Sequence, residues 1–249
     1  DSSTYLDNCY YQMALAAVNN GEYQSAEEIS NQISAAHPEL HNEVSYQIAG
    51  SYAATQDYKS AAAYYTALSD YKDSAEQAVE MSTLQHKQLA ESLSSAEIGG
   101  TVKFGTYDQN SNQADGNEAI QWTVLDRVGN HALLLSKKGL AYQPYNSTPT
   151  DTTWETCPLR QWLNNDFFNQ AFNADDQNYI QDSVVTADNN PDYGTDAGND
   201  TTDKIFLLSA TEYKRYTEVI TNKDSWWLRT PGSTQDKAMV VPSIGNSNY

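Results

Sequence analysis

Basic residues are scarce in this chain: 14 Lys and Arg stand against 33 Asp and Glu, for a net charge of −19 over 249 residues. A field of that sign repels phosphate backbones and anionic headgroups, which argues against nucleic acid and membrane surfaces as partners. Its simplest effect is to keep a secreted protein soluble. Cysteine is nearly absent. Cys9 and Cys157 are the only two, which excludes a disulfide framework and any zinc-ligand spacing and leaves one interdomain bridge as the sole pairing. Cys157, between Trp154 and Leu159, reads as a small buried hydrophobe. Long apolar runs and a signal peptide are also missing, so these residues provide no membrane insertion, although an upstream anchor is compatible with them.

Other shortages are uneven. The first 98 residues hold none of the five Trp, one of the seven Pro and two of the twelve Gly. The remainder has the aromatic, turn-rich mix of a β-rich domain. The expected division is a helical repeat domain over 1–97 and a second domain over 98–249. The start at Asp1-Ser2-Ser3, with few Lys and abundant Asn, Ser, Thr and Tyr, suggests a trimmed ectodomain or mature form located outside a bacterial cell or on its surface.

What is present first is a repeat. Tyr11, Gln12, Met13, Ala14 and Val18, followed by Gly21-Glu22-Tyr23-Gln24-Ser25-Ala26, recur 35 residues later as Tyr46, Gln47, Ile48, Ala49 and Ala53, followed by Gln56-Asp57-Tyr58-Lys59-Ser60-Ala61. Such a period is the mark of stacked helical hairpins. Tyr23, Ala26 and Ile29, like Tyr58, Ala61 and Tyr64, fall on one helix face. His37-Pro38 should end a helix. A fifth helix over Asp73 to Leu93 should close the stack, capped by Ser69 or Asp70. The segment resembles tetratricopeptide-like repeats in Gly21-Glu22-Tyr23-x-x-Ala26 and Gln56-Asp57-Tyr58-x-x-Ala61, without their early Trp or Leu-Gly pair. Solenoids of this sort offer grooves to peptides, and spacers position other domains. His37, His41 and His86 are scattered and suit capping or solvated roles better than metal ligation.

In the second domain, Gly99 to Tyr107 reads as a turn and strand, Ile120 to Asp126 as a half-buried strand, and His131 to Ser136 as a third, joined to the second by a turn at Gly129-Asn130. These form an antiparallel meander. A helix from Leu159 towards Phe168 follows, closed by Asn164-Asn165, and a shorter one covers Ala174 to Ile180 with Asn173 as its cap.

Val102-Lys103-Phe104-Gly105-Thr106-Tyr107, Ile120-Gln121-Trp122-Thr123-Val124-Leu125, Tyr145-Asn146, Thr153 through Asn164, Thr202 through Ser209, and Trp226-Trp227-Leu228-Arg229-Thr230-Pro231-Gly232 occur in one order over about 150 residues. In these segments the chain resembles a bacterial family known only as a domain of unknown function and common in surface proteins of Gram-positive bacteria. The resemblance implies an α+β, C-type-lectin-like fold shared with formylglycine-generating enzymes, often preceded by helical repeats. The family pattern continues into a Gly-Val-Arg-Pro-like strand where this sequence ends at Asn246-Ser247-Asn248-Tyr249, so the last strand is expected to be missing.

Candidate chemistry is sparse. A formylglycine-generating mechanism needs paired reactive cysteines late in the domain, and only Cys157 is there. No two carboxylates stand in a diagnostic motif. A Ser-His-acid arrangement would depend on His131. The chain is accordingly expected not to be an enzyme. Two binding features remain. Asp196, Asn199, Asp200 and Asp203 crowd oxygens on a Gly-bearing loop, as a Ca²⁺ site does, although the same residues also make ordinary turns. Trp227 and Arg229, with Asn246, Asn248 and Tyr249, offer stacking and hydrogen bonds to a sugar or peptide. Adjacent Trp226 and Trp227 in a strand face opposite ways, so at least one belongs to the core, and Arg229 can equally pair with a buried carboxylate. Trp122, Trp154 and Trp162 suit core packing. The leading expectation is non-catalytic recognition of a glycan or protein at the cell surface; the alternatives are a purely structural module and, more weakly, a hydrolase.

Overall fold

The structure, a computed structural model, describes residues 2–110 and 116–243. It is a mixed α+β chain with small antiparallel sheets, and it separates into two compact units, Asp1–Ser92 and Leu93–Tyr249.

The first unit is helical: α1 (Ser2–Asn19), α2 (Tyr23–Ser30), α3 (Pro38–Ala54), α4 (Tyr58–Leu68) and most of α5 (Ser74–Ser95). The repeat is visible in its turns. Gly21 takes φ +78°, and Glu22 N–H reaches back to Ala17 O; 35 residues on, Gln56 takes φ +63° and Asp57 N–H reaches Tyr52 O. This is the left-handed stop that closes a helix, natural for Gly and strained by about 1 kcal/mol for Gln. Tyr23 and Tyr58 then open α2 and α4 at matching positions. Ala14, Ala17, Val18 and Ala26 let α3 approach closely, and Val44 and Ile48 fill the space. Ala49, Ala61, Ala62 and Tyr65 do the same for Met81 of α5.

Two boundary expectations are corrected. Pro38 opens α3 rather than ending a helix, because Pro fits a first helical turn that needs no N–H from it, and α2 has already stopped at Ser30. Ser69 caps the C-terminus of α4, while the residue before α5 is Asp73. His37, at the start of α3, donates through Nδ1 to the buried Asp7 carboxylate (2.7 Å), which also accepts from Ser34 N–H and Oγ–H. The Ser34 bonds foremost hold the Asp7 carboxyl below its usual range.

In the second unit β1 (Thr101–Tyr107), β2 (Glu118–Val128) and β3 (His131–Ser136) form the expected meander in the order β1-β2-β3. Gly129, with φ +58°, makes the β2–β3 turn. α6 (Pro158–Trp162) runs through a π-helical turn (Leu163–Phe167) into α7 (Phe168–Ala171), and Asn173 caps the short α8 (Ala174–Gln177) through Asp176 N–H. Two ribbons complete the unit, β4 (Ser183–Val185) with β5 (Thr201–Asp203) and β6 (Trp226–Pro231) with β7 (Ala238–Val241); α9 (Ala210–Tyr216) lies between them in sequence. Phe172 is a hub that Phe104, Trp122, Phe167 and Phe168 all contact, and Trp122 Nε1–H donates to Phe104 O. A second cluster joins Leu125, Leu208, Tyr216, Leu228 and Val241.

Asn164 does more than close a helix. Its Nδ2 donates to Arg160 O and Ile205 O, and its Oδ1 accepts from Lys204 N–H and Ile205 N–H, which ties the chain after β5 to the helix. The helix itself runs on to Ala171.

Candidate ligand-binding face

Among the described residues the sequence-predicted ligand residues are Trp227 and Arg229, and Trp227, at the open end of the β6–β7 ribbon, is the one that is not buried. Trp226 and Trp227 point to opposite sides, as strand geometry requires. Trp226 turns inward against Tyr213 at 5.8 Å and joins the Leu125–Leu228 cluster. Trp227 turns the other way, its ring meeting Tyr145 edge-on at 5.9 Å and its Nε1–H donating to Gln143 O at 3.1 Å. Across the ribbon its register partner is the exposed Val240. Gly139 N–H donates to Asp224 Oδ2 (2.7 Å) and holds the 139–145 segment against the start of β6, with the fully exposed Tyr142 next to Gln143. The indole is therefore fixed at one edge by a ring and at its N–H by a carbonyl.

Tyr145 is itself firmly held. It is buried, its hydroxyl donates to Arg229 O (3.3 Å), and burial foremost pushes its phenol far above the usual range. Burial likewise raises the Cys157 thiol, whose Sγ accepts from Arg160 N–H at the start of α6 and donates to Trp154 O. A buried thiol kept neutral is a cap and a packing group, not a nucleophile.

Arg229 sits differently from Trp227. It is buried, its Nε–H donates to Thr186 O (3.2 Å), Nη1–H to Leu207 O (2.8 Å) and Glu212 Oε2, and Nη2–H to Glu212 Oε1 (3.0 Å). Arg229 thus pairs with a carboxylate, that of Glu212, which unlike the arginine is only half-buried. Asn246, Asn248 and Tyr249 lie outside the described residues.

The four oxygen-bearing residues of the loop each have partners of their own. Asp203 is buried in β5 and accepts from Arg160 Nε (2.6 Å), Trp154 Nε1 (2.9 Å) and Thr201 Oγ1 (2.6 Å). Asp200 Oδ1 accepts from Ala187 N–H, Asp196 Oδ1 from Gly198 N–H, and Asn199 Nδ2 donates to Glu155. Asp196 closes its own turn, the ordinary use of Asp in loops, while the other three bond residues that are distant in sequence. Asn190 stitches the loop to the ribbon through Pro231 O and Gly232 O. That end of β6 is about 13 Å along the strand from Trp227, so loop and indole face are separate. Among the described residues no group of three or more His, Cys, Asp or Glu is placed to hold a metal ion. Neither Ca²⁺ nor EDTA is therefore expected to move the melting midpoint, whereas a ligand specific to the folded state would raise it; a rise with Ca²⁺ in a thermal melt would show these oxygens recruited to a cation.

His131 is exposed at the β2–β3 turn and belongs to no Ser-His-acid arrangement among the described residues. Of the other tryptophans, Trp122 and Trp154 are buried and Trp162 is half-buried against Phe167. Tyr142, Gln143 and Val240 were not marked by sequence. Tyr142-Gln143-Pro144-Tyr145 lies in irregular chain with no period to place it, and its one local signal was a pair of tyrosines three apart beside a proline. Among the described residues no helix is long and apolar enough to cross a membrane. No curated protein and no solved structure matches the chain. Residues 129–249, which include every residue about Trp227, match the family model described as Domain of unknown function (DUF6273).

Proposed function

We propose that the second unit is a non-catalytic recognition domain of C-type-lectin-like type, binding a glycan at the bacterial cell surface through the Trp227 face. The tetratricopeptide-like helices act as spacer or protein-interaction scaffold. The observation that carries this reading is the fixed, only partly buried indole of Trp227, with its N–H already satisfied by Gln143 O and its edge braced by Tyr145. Such a ring offers an apolar face at little entropic cost, which suits stacking against the apolar side of a sugar. Tyr142 and Val240 extend the surface, and the excess of acids disfavours polyanionic glycans.

A glycan screen by immobilised array, followed by titration calorimetry of the hits, tests this. Trp227→Ala should weaken a neutral glycan by about 30-fold, the loss of about 2 kcal/mol usual for an aromatic anchor, and Trp227→Phe should restore part of it. Unchanged affinity in a Trp227→Ala variant that keeps its melting midpoint would move binding to another face. No hit among neutral glycans would favour a protein ligand.

A further inference from the structure

We propose that the outer face of α1 is a docking surface for a further helix–turn–helix of the same repeat pattern. Tyr5, Leu6, Cys9 and Met13 fall within one stripe of about 100° on that helix. Tyr5 is 75%, Leu6 51% and Met13 55% exposed. The repeat shows what such a stripe does when covered. Thirty-five residues on, Cys9 and Met13 become Val44 and Ile48 of α3, both 0% exposed and packed on Ala14, Ala17, Val18 and Ala26 of the preceding hairpin. Position 13 of α1 is exposed and position 9 partly so where their counterparts in α3 are core, while Leu40 and His41, the counterparts of Tyr5 and Leu6, are half-buried.

Charge separates this face from an ordinary exposed helix. In a chain with 33 acidic residues, α1 has one charged residue among Ser2–Asn19, Asp7, and that is buried with Ser34 and His37. By contrast α5 exposes Glu76, Glu80, Lys87 and Glu91. An uncharged, apolar helix face is the compositional mark of an interface, since solvated helices keep charges on their free side. The occupant is defined by what already receives Val44 and Ile48: a hairpin surface of small residues, flanked by rings equivalent to Tyr11 and Tyr23. The corresponding surfaces within the chain are already filled, by α3 on the first hairpin and by α5 on the second. The inference rests on the scaffold half of the function proposed above, and all its readouts lie in the first unit, so its failure leaves the Trp227 face untouched.

The test appends a second copy of residues 1–35 directly ahead of residue 1 of the full chain, which preserves the 35-residue period. The added copy carries Met13→Leu, so that the original Met13 alone reports on the face. The expected result is a gain in helical circular dichroism matching two more helices, a higher melting midpoint for the helical signal, and slower peroxide oxidation of the original Met13 than in the parent chain. A copy that adds no helix and leaves Met13 oxidising at the parental rate overturns the proposal. Met13→Glu in the original α1 should abolish the gain while leaving the parent chain folded, because the site is exposed there; persistence of the gain would place the copy elsewhere and also overturn it. Sedimentation of the unextended chain as a dimer with Met13 protected would make the occupant a second copy and reject the hairpin.

Discussion

Replacement of Arg229 by Met is expected to lower the stability of the second unit by about 1–3 kcal/mol, the cost of removing the charged donor from buried acceptors. All five Trp lie after residue 98, so the denaturation midpoint read by tryptophan fluorescence reports this unit and not the helical one. The size follows from what the guanidinium joins. It meets Glu212 with two nitrogens and donates to Thr186 O and Leu207 O, so its loss takes the donor from two carbonyls, while the Glu212 carboxylate, 30% exposed, can turn to water. Glu212 is also the N3 partner of the Ser209 capping box, accepting from Ser209 N–H while Glu212 N–H donates to Ser209 Oγ. The start of α9 and the middle of β6 therefore share one carboxylate.

A double-mutant cycle separates this role from packing. Glu212→Gln keeps the hydrogen-bonding shape of the cap, and Arg229→Met combined with Glu212→Gln should cost less than the sum of the two single changes by about 0.5–1 kcal/mol, since the pair is already lost in the first and water screens the half-buried carboxylate. Additive losses would mean that Arg229 acts through its aliphatic stem and its carbonyl bonds alone. The pair matters to the proposed binding face as well, because Tyr145, the brace of Trp227, donates its hydroxyl to Arg229 O.

The same residues show how much of this molecule can be read from its sequence. The β1–β2–β3 meander is legible because Ile120, Trp122 and Val124 alternate and Gly129-Asn130 spells the turn. Alternation fails past Trp122, where Thr123 and Leu125 are buried too: a register shift between Val124 and Asp126 moves the pleat, and Leu125 joins a second cluster with Leu208 and Leu228. The helical hairpins are legible from the 35-residue period, and the start of α5 to within a residue, but not the helix start at Pro38, which depends on local turn geometry. β4 and β5 are three residues each and are held by long-range pairing, so no local period announces them. α9 stands on a capping box written plainly in Ser209-Ala210-Thr211-Glu212, a signal absent from the expectations above.

The site was harder to read, for a physical reason. An Asp or Asn in a loop looks the same in sequence whether its oxygen meets a cation or a backbone N–H. Asp203 resembles its neighbours Asp196 and Asp200 yet lies buried between Arg160, Trp154 and Thr201, in a strand too short to show. Arg229 could be read both ways for the same reason. Strand alternation says that Trp226 and Trp227 face opposite ways but not which faces the core, and the supports of Trp227, Gln143 and Tyr145, arrive from 84 and 82 positions away.

Gly105 is the position where one methyl group should do the most harm. It lies in the irregular part of β1, between Lys103 and Thr106, at φ +70°. A Cβ there would stand 2.6 Å from Phe172 Cε1 and 2.7 Å from Ala171 O, and the second of these is backbone that cannot rotate aside. Phe172 cannot yield easily either, since Phe104, Trp122, Phe167 and Phe168 surround it. Gly105→Ala thus combines a left-handed backbone strain of about 1–2 kcal/mol with overpacking of about 1–3 kcal/mol, for a loss of about 2–5 kcal/mol in the second unit. Gly194 supplies the control: its φ is +69° but nothing lies within 4 Å of its would-be Cβ, so Gly194→Ala should cost the strain alone. Urea titrations of the two variants, followed by tryptophan fluorescence, decide the matter. Equal losses would mean that the end of α7 shifts to make room and that the Phe172 hub is softer than its packing implies; a larger loss at Gly105 would show that the aromatic hub fixes β1 against the helix, and with it the edge of the meander.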